Sequence, residues 1–470
     1  MTINEVDKQS KAVAAQAVHW PMIDALVGAT QAMRAAAQQF LPKWPAESDE
    51  GYKARLASAT LFPAYSRTTE IMAAKPFARP MDVESKGPLP PRVKGLVDDV
   101  DMFGTDLQPY AAGLMLDAMR FGLLGVLVDA PATPGARTIA DERAAGLRPY
   151  FAKYSAASIL GWRAARDANG SHLTLLRLRE DVVEPDGPWG EKEVTQIRVL
   201  TPGAWEIWRE KQPAEISTSS DRWFKYAAGT SKLQKIPFVF FYGLRKGFGI
   251  GAPPLLDLAY MNVEHWQSSS DQQTILHVAR VPILFAKGFA DGEPLTVGAA
   301  SAVRSNRADA ELSWVEHSGA AIDACRQSLL DREDRMRQTG AELLIQKPAT
   351  ATATQITTET EGSRSTLQAI VEDFEESLEA CLALLGDWVG EAFEPEVLLH
   401  KDFGAANLSE KGGDLLLRAA SDDHVSSETV FNCLKRMDIV EPGNRWDDEK
   451  ARIASQSARD DAAQSNPRAK

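Results

Sequence analysis

The chain reads as an α+β protein of several domains, with a strand-rich segment set between helical ones. Three observations lead there. At 470 residues, 44% hydrophobic and 25% charged, it has the size and composition of an ordinary folded protein, long enough for two to four cores. Between Arg148 and Phe241 apolar residues recur every second position. Before that segment and after Pro254 they recur at three and four, the period of helices.

Taken in order, the pattern from Pro21 to about Lys75 is helical. "MIDALVGATQAMRAAAQQF" repeats apolar residues on one face, and "SDEGYKARLASATLF" opens with Ser48 and Asp49 as candidate caps. "KGPLPPR" reads as a connector. A helix from about Asp106 to Phe121 leads into the apolar strand "GVLVDA". Short strands are then expected at "RPYFAKY", "GWRAARD", "HLTLLRLRE", "VTQIRVL", "AWEIWRE" and "DRWFKYA", forming a mixed sheet. Asn169-Gly170 supplies a hairpin turn between two of them.

The glycine-rich stretch "FYGLRKGFGIGAPP" admits two readings. Gly247, Gly249 and Ala252 satisfy G-x-G-x-x-A between an apolar strand and a helix, the setting of a dinucleotide-binding turn. Such a turn also needs a second strand carrying an acidic residue about 20 positions on. Here that distance falls in "QSSSDQQT", inside a continuing helix, and Pro253 and Pro254 remove two N–H donors that an anion would use. The other reading is a reversal at Gly247, Gly249 and Gly251 that turns the chain from sheet into helix. A nucleotide-binding enzyme using Gly247-Gly249-Ala252 stands as the alternative.

The helix expected from Leu255 to about Ala279 is polar almost all round. In "NVEHWQSSSDQQT" only Val263 and Trp266 are strongly apolar, as in helices that bridge domains or meet partner chains. A β-like "RVPILFAKGF" and the stretch to "ELSWVEHSG" follow. The next helix, Ala320 to about Leu344, places Ile322, Leu329, Met336 and Leu343 seven apart among charges, a narrow seam suited to neighbouring helices. From Ser363 to about Phe393 the pattern broadens: Leu367, Ile370, Val371, Phe374, Leu378, Leu382, Leu385, Trp388 and Val389 keep a 3.6 period. Glu372, Asp373, Glu375, Glu376 and Glu379 are expected mostly on the opposite side. Between these helices "QKPATATATQITTETEG" alternates threonine and alanine and lacks any residue able to build a core, the mark of a functional loop. A strand at "EVLLHKDF", helices at "SEKGGDLLLRAA" and "SSETVFNCLKRM", and a disordered tail are expected to close the chain.

Much chemistry is missing. Cys325, Cys381 and Cys433 have no paired spacing and read as reduced thiols packed as small apolar residues. The seven histidines show no metal-ligand spacing, and His265 and His277 lie over three helical turns apart. No nucleophile elbow, Walker lysine or kinase signature is present, and the acidic "VEDFEE" reads as a solvated face. Neither a signal peptide nor a membrane span is expected. No cofactor, metal or catalytic residue is assigned. The net charge of −13 argues against a broad nucleic-acid grip, although not against DNA that passes without sticking.

With this order of elements, the chain resembles tailed-bacteriophage portal proteins, the head-to-tail connector family. "IPFVFFYGL" followed by glycines and "PPLLDLAYMNVEHWQSSSDQQTILHVARVPILFAKG" is similar to a sheet strand entering a first stem helix. "LLDREDRMRQTGAELLIQKPATATAT" and "SRSTLQAIVEDFEESLEACLALLGDWVG" resemble a second stem helix, a tunnel loop and the long helix beyond. "VSSETVFNCLKRMDIVEPGNRWDDEKARI" is similar to the helical pattern that ends many portals. The likeness runs in order from about Leu61 to Ile453.

The resemblance implies a ring, normally dodecameric, at one capsid vertex of the virion, assembled in the host cytoplasm. Double-stranded DNA enters and leaves through its channel, and terminase, major capsid protein and a head-tail adaptor are its partners. It divides the chain into N-terminal helices and α/β wing (1–254), first stem helix (255–280), clip (281–318), second stem helix (319–344) and tunnel loop (345–362). A long helix with a wing return strand (363–406), a helical crown (407–453) and a tail (454–470) follow. Stem contacts would come from Ile322, Leu329 and Met336, and channel contacts from Lys347, Thr350, Thr352, Thr354 and Gln355. Twelve copies at −13 each suit low-affinity passage of a duplex. Another oligomeric virion protein, an adaptor or tail component, is the nearest alternative.

Overall fold

The computed structural model describes residues 6–84, 88–131, 148–168, 170–211, 222–279, 283–287, 310–315, 320–344, 365–401 and 403, with short pieces at 426–428, 430–431, 445–447 and 449–455. It divides into a large unit, Met1–Lys401, and a small one, Asp402–Lys470. The architecture is α+β, as the change of period indicates.

Seven helices lie in the first part: α1 (Lys11–Ala17), α2 (Trp20–Val27), α3 (Ala29–Ala36), α4 (Asp49–Ser58), α5 (Ala64–Ala74), α6 (Pro91–Val97) and α7 (Leu107–Phe121). Ser48 caps α4 by accepting from the Gly51 N–H, and Asp106 caps α7 by accepting from the Gln108 N–H. The connector "KGPLPPR" is shorter than expected, because α6 begins inside it at Pro91, where proline's fixed φ suits a first helical position.

Two antiparallel sheets follow. Strands β1 (Leu123–Asp129), β2 (Tyr150–Ser155) and β8 (Phe238–Tyr242) form one, in the order β2-β1-β8. Strands β3 (Ile159–Asp167), β4 (Gly170–Asp186), β5 (Gly190–Thr201), β6 (Ala204–Glu210) and β7 (Trp223–Thr230) form the other in sequence order, a meander. Every pair among these strands is antiparallel, so the expected mixed sheet is corrected. Within the meander, β3 to β6 follow one another through short reversals, which lead to antiparallel pairing.

The small sheet is covered on both faces, so β1 is buried along nearly its whole length. On one face Leu123, Leu127, Phe238 and Phe240 pack with Ile159, Leu176 and Leu178 of the meander and with Val13 and Trp20 of the N-terminal helices. Gly125 is glycine because the Phe238 ring lies over it, 1.9 Å from where a Cβ would stand. On the other face, α10 (Thr366–Val389) sets Phe374 5.1 Å from Phe241, ring centre to ring centre. Ser365 and Gln368 form its capping box, and Gly390, with φ +72°, ends it.

The apolar stripe of α10 is buried as its period predicts, yet Glu375 is buried with it. Its carboxylate accepts from the Leu399 N–H and the Lys401 ammonium, both at 2.7 Å, and Glu379 accepts from the Val397 N–H at 2.9 Å. These side chains hold the return segment in place of a sheet neighbour. Instead of the expected strand at "EVLLHKDF", a single bridge joins Leu398 to Asp82.

Candidate stem and channel elements

The expected first stem helix is α8 (Leu256–Ala279), and the second is α9 (Ala320–Ala341), extended by a 3-10 turn through Leu344. Between them β11 (Ile283–Lys287) and β12 (Glu311–Val315) pair antiparallel, Ile283 opposite Val315, where a clip is expected. This ribbon brings the end of α8 beside the start of α9. The two helices therefore run antiparallel.

The lower half of α8 departs from expectation, since it is buried within its own chain. Leu258, Ala259 and Trp266 are enclosed, and so are Asn262, His265 and Ser270. Asn262 explains why a polar residue is kept there: its Oδ1 accepts from the Tyr65 N–H at 2.9 Å and its Nδ2 donates to the Phe62 carbonyl at 2.8 Å. A buried backbone break before α5 is thereby satisfied. Neither Asn262 partner lies near it in sequence, so no local pattern announces the pair.

Polar contacts also join α8 to α9. The Arg332 guanidinium donates to Ser268 at 2.6 Å and to the Glu264 carboxylate at 2.7 Å. His265 sets Nε2 3.4 Å from a Glu333 oxygen, and neither ring nitrogen makes a well-formed hydrogen bond. Burial pushes this imidazole below its ordinary value, and the Glu333 carboxylate opposes the shift.

Of the expected stem contacts, Met336 is 2% exposed and Leu343 is buried too, so the lower end of the seven-residue seam is satisfied inside one chain. That corrects the view that the seam needs neighbours throughout. Ile322 and Leu329 are half-buried, and Leu330 beside them is 41% exposed. The unsatisfied apolar surface thus sits on the upper half of α9.

The glycine stretch is a hairpin, β9 (Leu244–Gly247) against β10 (Ile250–Ala252). The Gly249 N–H donates to the Tyr242 hydroxyl and the Gly251 N–H to the Gln16 side chain, each at 2.9 Å. Both donors are used within the chain, which leaves a phosphate without them. Gly249 has φ +68° and lies over the Trp162 ring. Gly251 is needed for a different reason: a Cβ there would stand 2.0 Å from the Gly122 carbonyl oxygen. Gly247 has neither constraint. The reversal is pinned at Gly249 and Gly251.

The expected channel residues Lys347, Thr350, Thr352, Thr354 and Gln355 lie outside the described residues, as does Cys433. Cys381 is fully buried, and burial raises its thiol well above the ordinary value. Among the described residues no group of histidine, cysteine or carboxylate side chains has metal-binding geometry, and no helix is long and apolar enough to cross a membrane. In the small unit the Phe431 and Trp446 rings stand 5.4 Å apart.

A family model described as a domain of unknown function, DUF4055, matches residues 254–389, which takes in α8, α9 and α10. No curated protein matches the chain. Solved structures do. A chain of the neck of an empty GTA particle, computed with C6 symmetry, is 11% identical and covers 79% of this chain and 89% of its own, with a TM-score of 0.44. A chain of the virion of a native gene transfer agent particle is 12% identical over 86% and 97%, at 0.41. A chain of the neck of the native particle, computed with C12 symmetry, is 11% identical over 84% and 96%, at 0.40. The chain is similar, over most of its length, to neck and virion chains of a gene transfer agent particle.

Proposed function

We propose that the chain is a virion structural protein and, more specifically, one subunit of a portal ring through which double-stranded DNA is packaged and ejected. The observation that carries this reading is the α8–α9 pair. Two long antiparallel helices, joined across a β ribbon, extend from a body of antiparallel sheets, and the upper half of the pair keeps half-buried apolar residues beside exposed charges. A helical hairpin of that kind is stabilised by equivalent hairpins around it, through a heterologous contact that closes into a ring. Residues 1–254 then form the wing, 281–318 the clip and 407–453 the crown.

On this reading the protein is not an enzyme and takes no cofactor. Residues 345–362 face the channel, where threonine hydroxyls make brief contacts to phosphates and Lys347 stands nearest the duplex. Terminase, capsid protein and adaptor dock on the outer surfaces. The virion is its place of function.

Negative-stain microscopy of the purified protein tests the reading directly. Rings with a central hole are expected, and Leu330→Asp should abolish them while leaving the circular dichroism of the subunit unchanged. Monomers, or solid particles without a channel, would overturn the portal assignment.

A further inference from the structure

The two longest strands overrun their sheet. Strand β3 pairs with β4 only as far as Leu178, and β6 pairs with β5 only from Gln196 onward. From Asp181 to Thr195 the two strands pair with each other alone. They make a two-stranded arm projecting roughly 17 Å from the meander, at about 3.4 Å per residue. A free ribbon of this kind is marginal in water. At its tip, after Gly187 with φ +72°, Trp189 is 97% exposed, and Val183 along the arm is 59% exposed.

The arm is also acidic. Between Glu180 and Val194 six carboxylates face one lysine, Lys192. Glu180 and Glu184, near the base, pair with Arg198 and Arg209 at 2.7 Å. Asp186, Glu191 and Glu193, toward the tip, make no ion pair with another described residue.

Elsewhere the same unit carries a cleft of about 760 Å³ between the meander, the end of β1, α6 and the end of α10. Leu96, Trp205, Tyr226 and Trp388 give it apolar and aromatic walls, and Arg92, Arg148 and Lys235 bring cationic groups to it. Arg148 and Lys235 are each bridged once, by Asp99 and Asp387, with Lys235 remaining largely open to solvent. The arm continues the sheet that forms one wall, so its tip cannot fold into its own cleft without breaking the β4–β5 ladder. A second copy has no such constraint.

We propose that Trp189 and the acidic arm tip of one subunit seat in this cleft of the neighbouring subunit. A tryptophan in an aromatic pocket edged by arginine is the kind of contact that dominates an interface, through buried area and cation–π attraction. Projection and recess lie on different parts of the surface, so the contact is heterologous and repeats from copy to copy. The inference rests on the ring reading, because only a ring satisfies every arm and every cleft at once.

Two single variants, Trp189→Cys and Thr201→Cys, test it. Thr201 lines the cleft and is exposed. Mixed during assembly and oxidised, they should give a disulfide-linked pair, mapped by peptide mass spectrometry to positions 189 and 201 and absent from either variant alone. In parallel, Trp189→Ala should raise the subunit concentration for half-assembly about tenfold or more, while Lys192→Ala changes it little. Rings seen by microscopy without the 189–201 link, and with Trp189→Ala assembling normally, overturn the arm contact and leave the ring intact. The link appearing in open oligomers supports the arm contact and overturns the closed ring. Monomers without the link overturn both.

Discussion

The small sheet and the lower half of α8 are both buried, but different chemistry holds them. Around β1 and β8 the enclosed groups are mainly Leu, Val and Phe, with Tyr242, and the sheet's own ladder satisfies its backbone. Along α8 the polar contacts are those of Asn262 with Tyr65 and Phe62, and of Ser268 and Glu264 with Arg332 reaching in from α9. The first region is held by area removed from water, which is non-directional and tolerant. The second depends on a few directed bonds, each costly to leave unmade. A hairpin that stands out from a body gains from the second kind, since a polar interface fixes the register of its two helices where a greasy one would let them slide.

The comparison can be broken first on the apolar side. Phe374→Ala should cost about 3–5 kcal/mol by removing the ring that meets Phe241, read as a lower urea midpoint. A loss below about 1 kcal/mol would show that α10 is not needed to cover the sheet.

Glycine positions test how tightly the junction between the regions is pinned. Gly251→Val drives a Cβ against the Gly122 carbonyl and should cost about 1–3 kcal/mol, as overpacking does, whereas Gly247→Val should leave the melting temperature nearly unchanged. Equal effects would mean that the hairpin is adaptable after all.

On the polar side, Asn262→Ala leaves the Tyr65 N–H and the Phe62 carbonyl without partners, at about 1–3 kcal/mol. Hydrogen exchange at the Tyr65 amide should accelerate. Unchanged protection there would move α8 into the apolar class.

The smallest effect is expected from His265. Its folded-state value is depressed, mainly by burial, so below about pH 6.5 the unfolded chain takes up a proton that the folded chain resists. Stability should fall as the pH drops from about 6.5 toward that depressed value, then level off. His265→Phe should flatten this part of the denaturation profile between pH 7 and 5. An identical slope in the variant would assign the titration to another group.

How much of this was legible in the sequence follows the same division. The 3.6 period of α10 and the alternation of β3 to β7 reflect burial against whatever is nearby, so local pattern suffices to find them. α8 and α9 were found at close to their true bounds by other signals, the helical run that follows Pro253 and Pro254 and the seven-residue seam of α9. The role of Glu375 was not, because its partners Leu399 and Lys401 lie 24 and 26 residues downstream. Five carboxylates on one helix look alike until the return segment selects two, Glu375 and Glu379. Met336 was misplaced for a related reason: a seam every seven residues shows that something packs against it, without saying whether that is the same chain or the next. The residues expected to line a channel fall in 345–362, outside the described structure, and stay on the footing of the resemblance.

The bond between Gln16 and Gly251 joins residues 235 apart. On the ribosome, at about 5–20 residues per second, the partner for Gln16 emerges roughly 10–50 seconds after it. Throughout that interval α1 has no hairpin to hold, and the cluster that Val13 and Trp20 join lacks Phe238 and Phe240 until β8 is made near its end. The N-terminal apolar face is therefore only partly covered until about half the chain has been made. The first residues are held in their final place only once residues more than halfway down the chain have emerged.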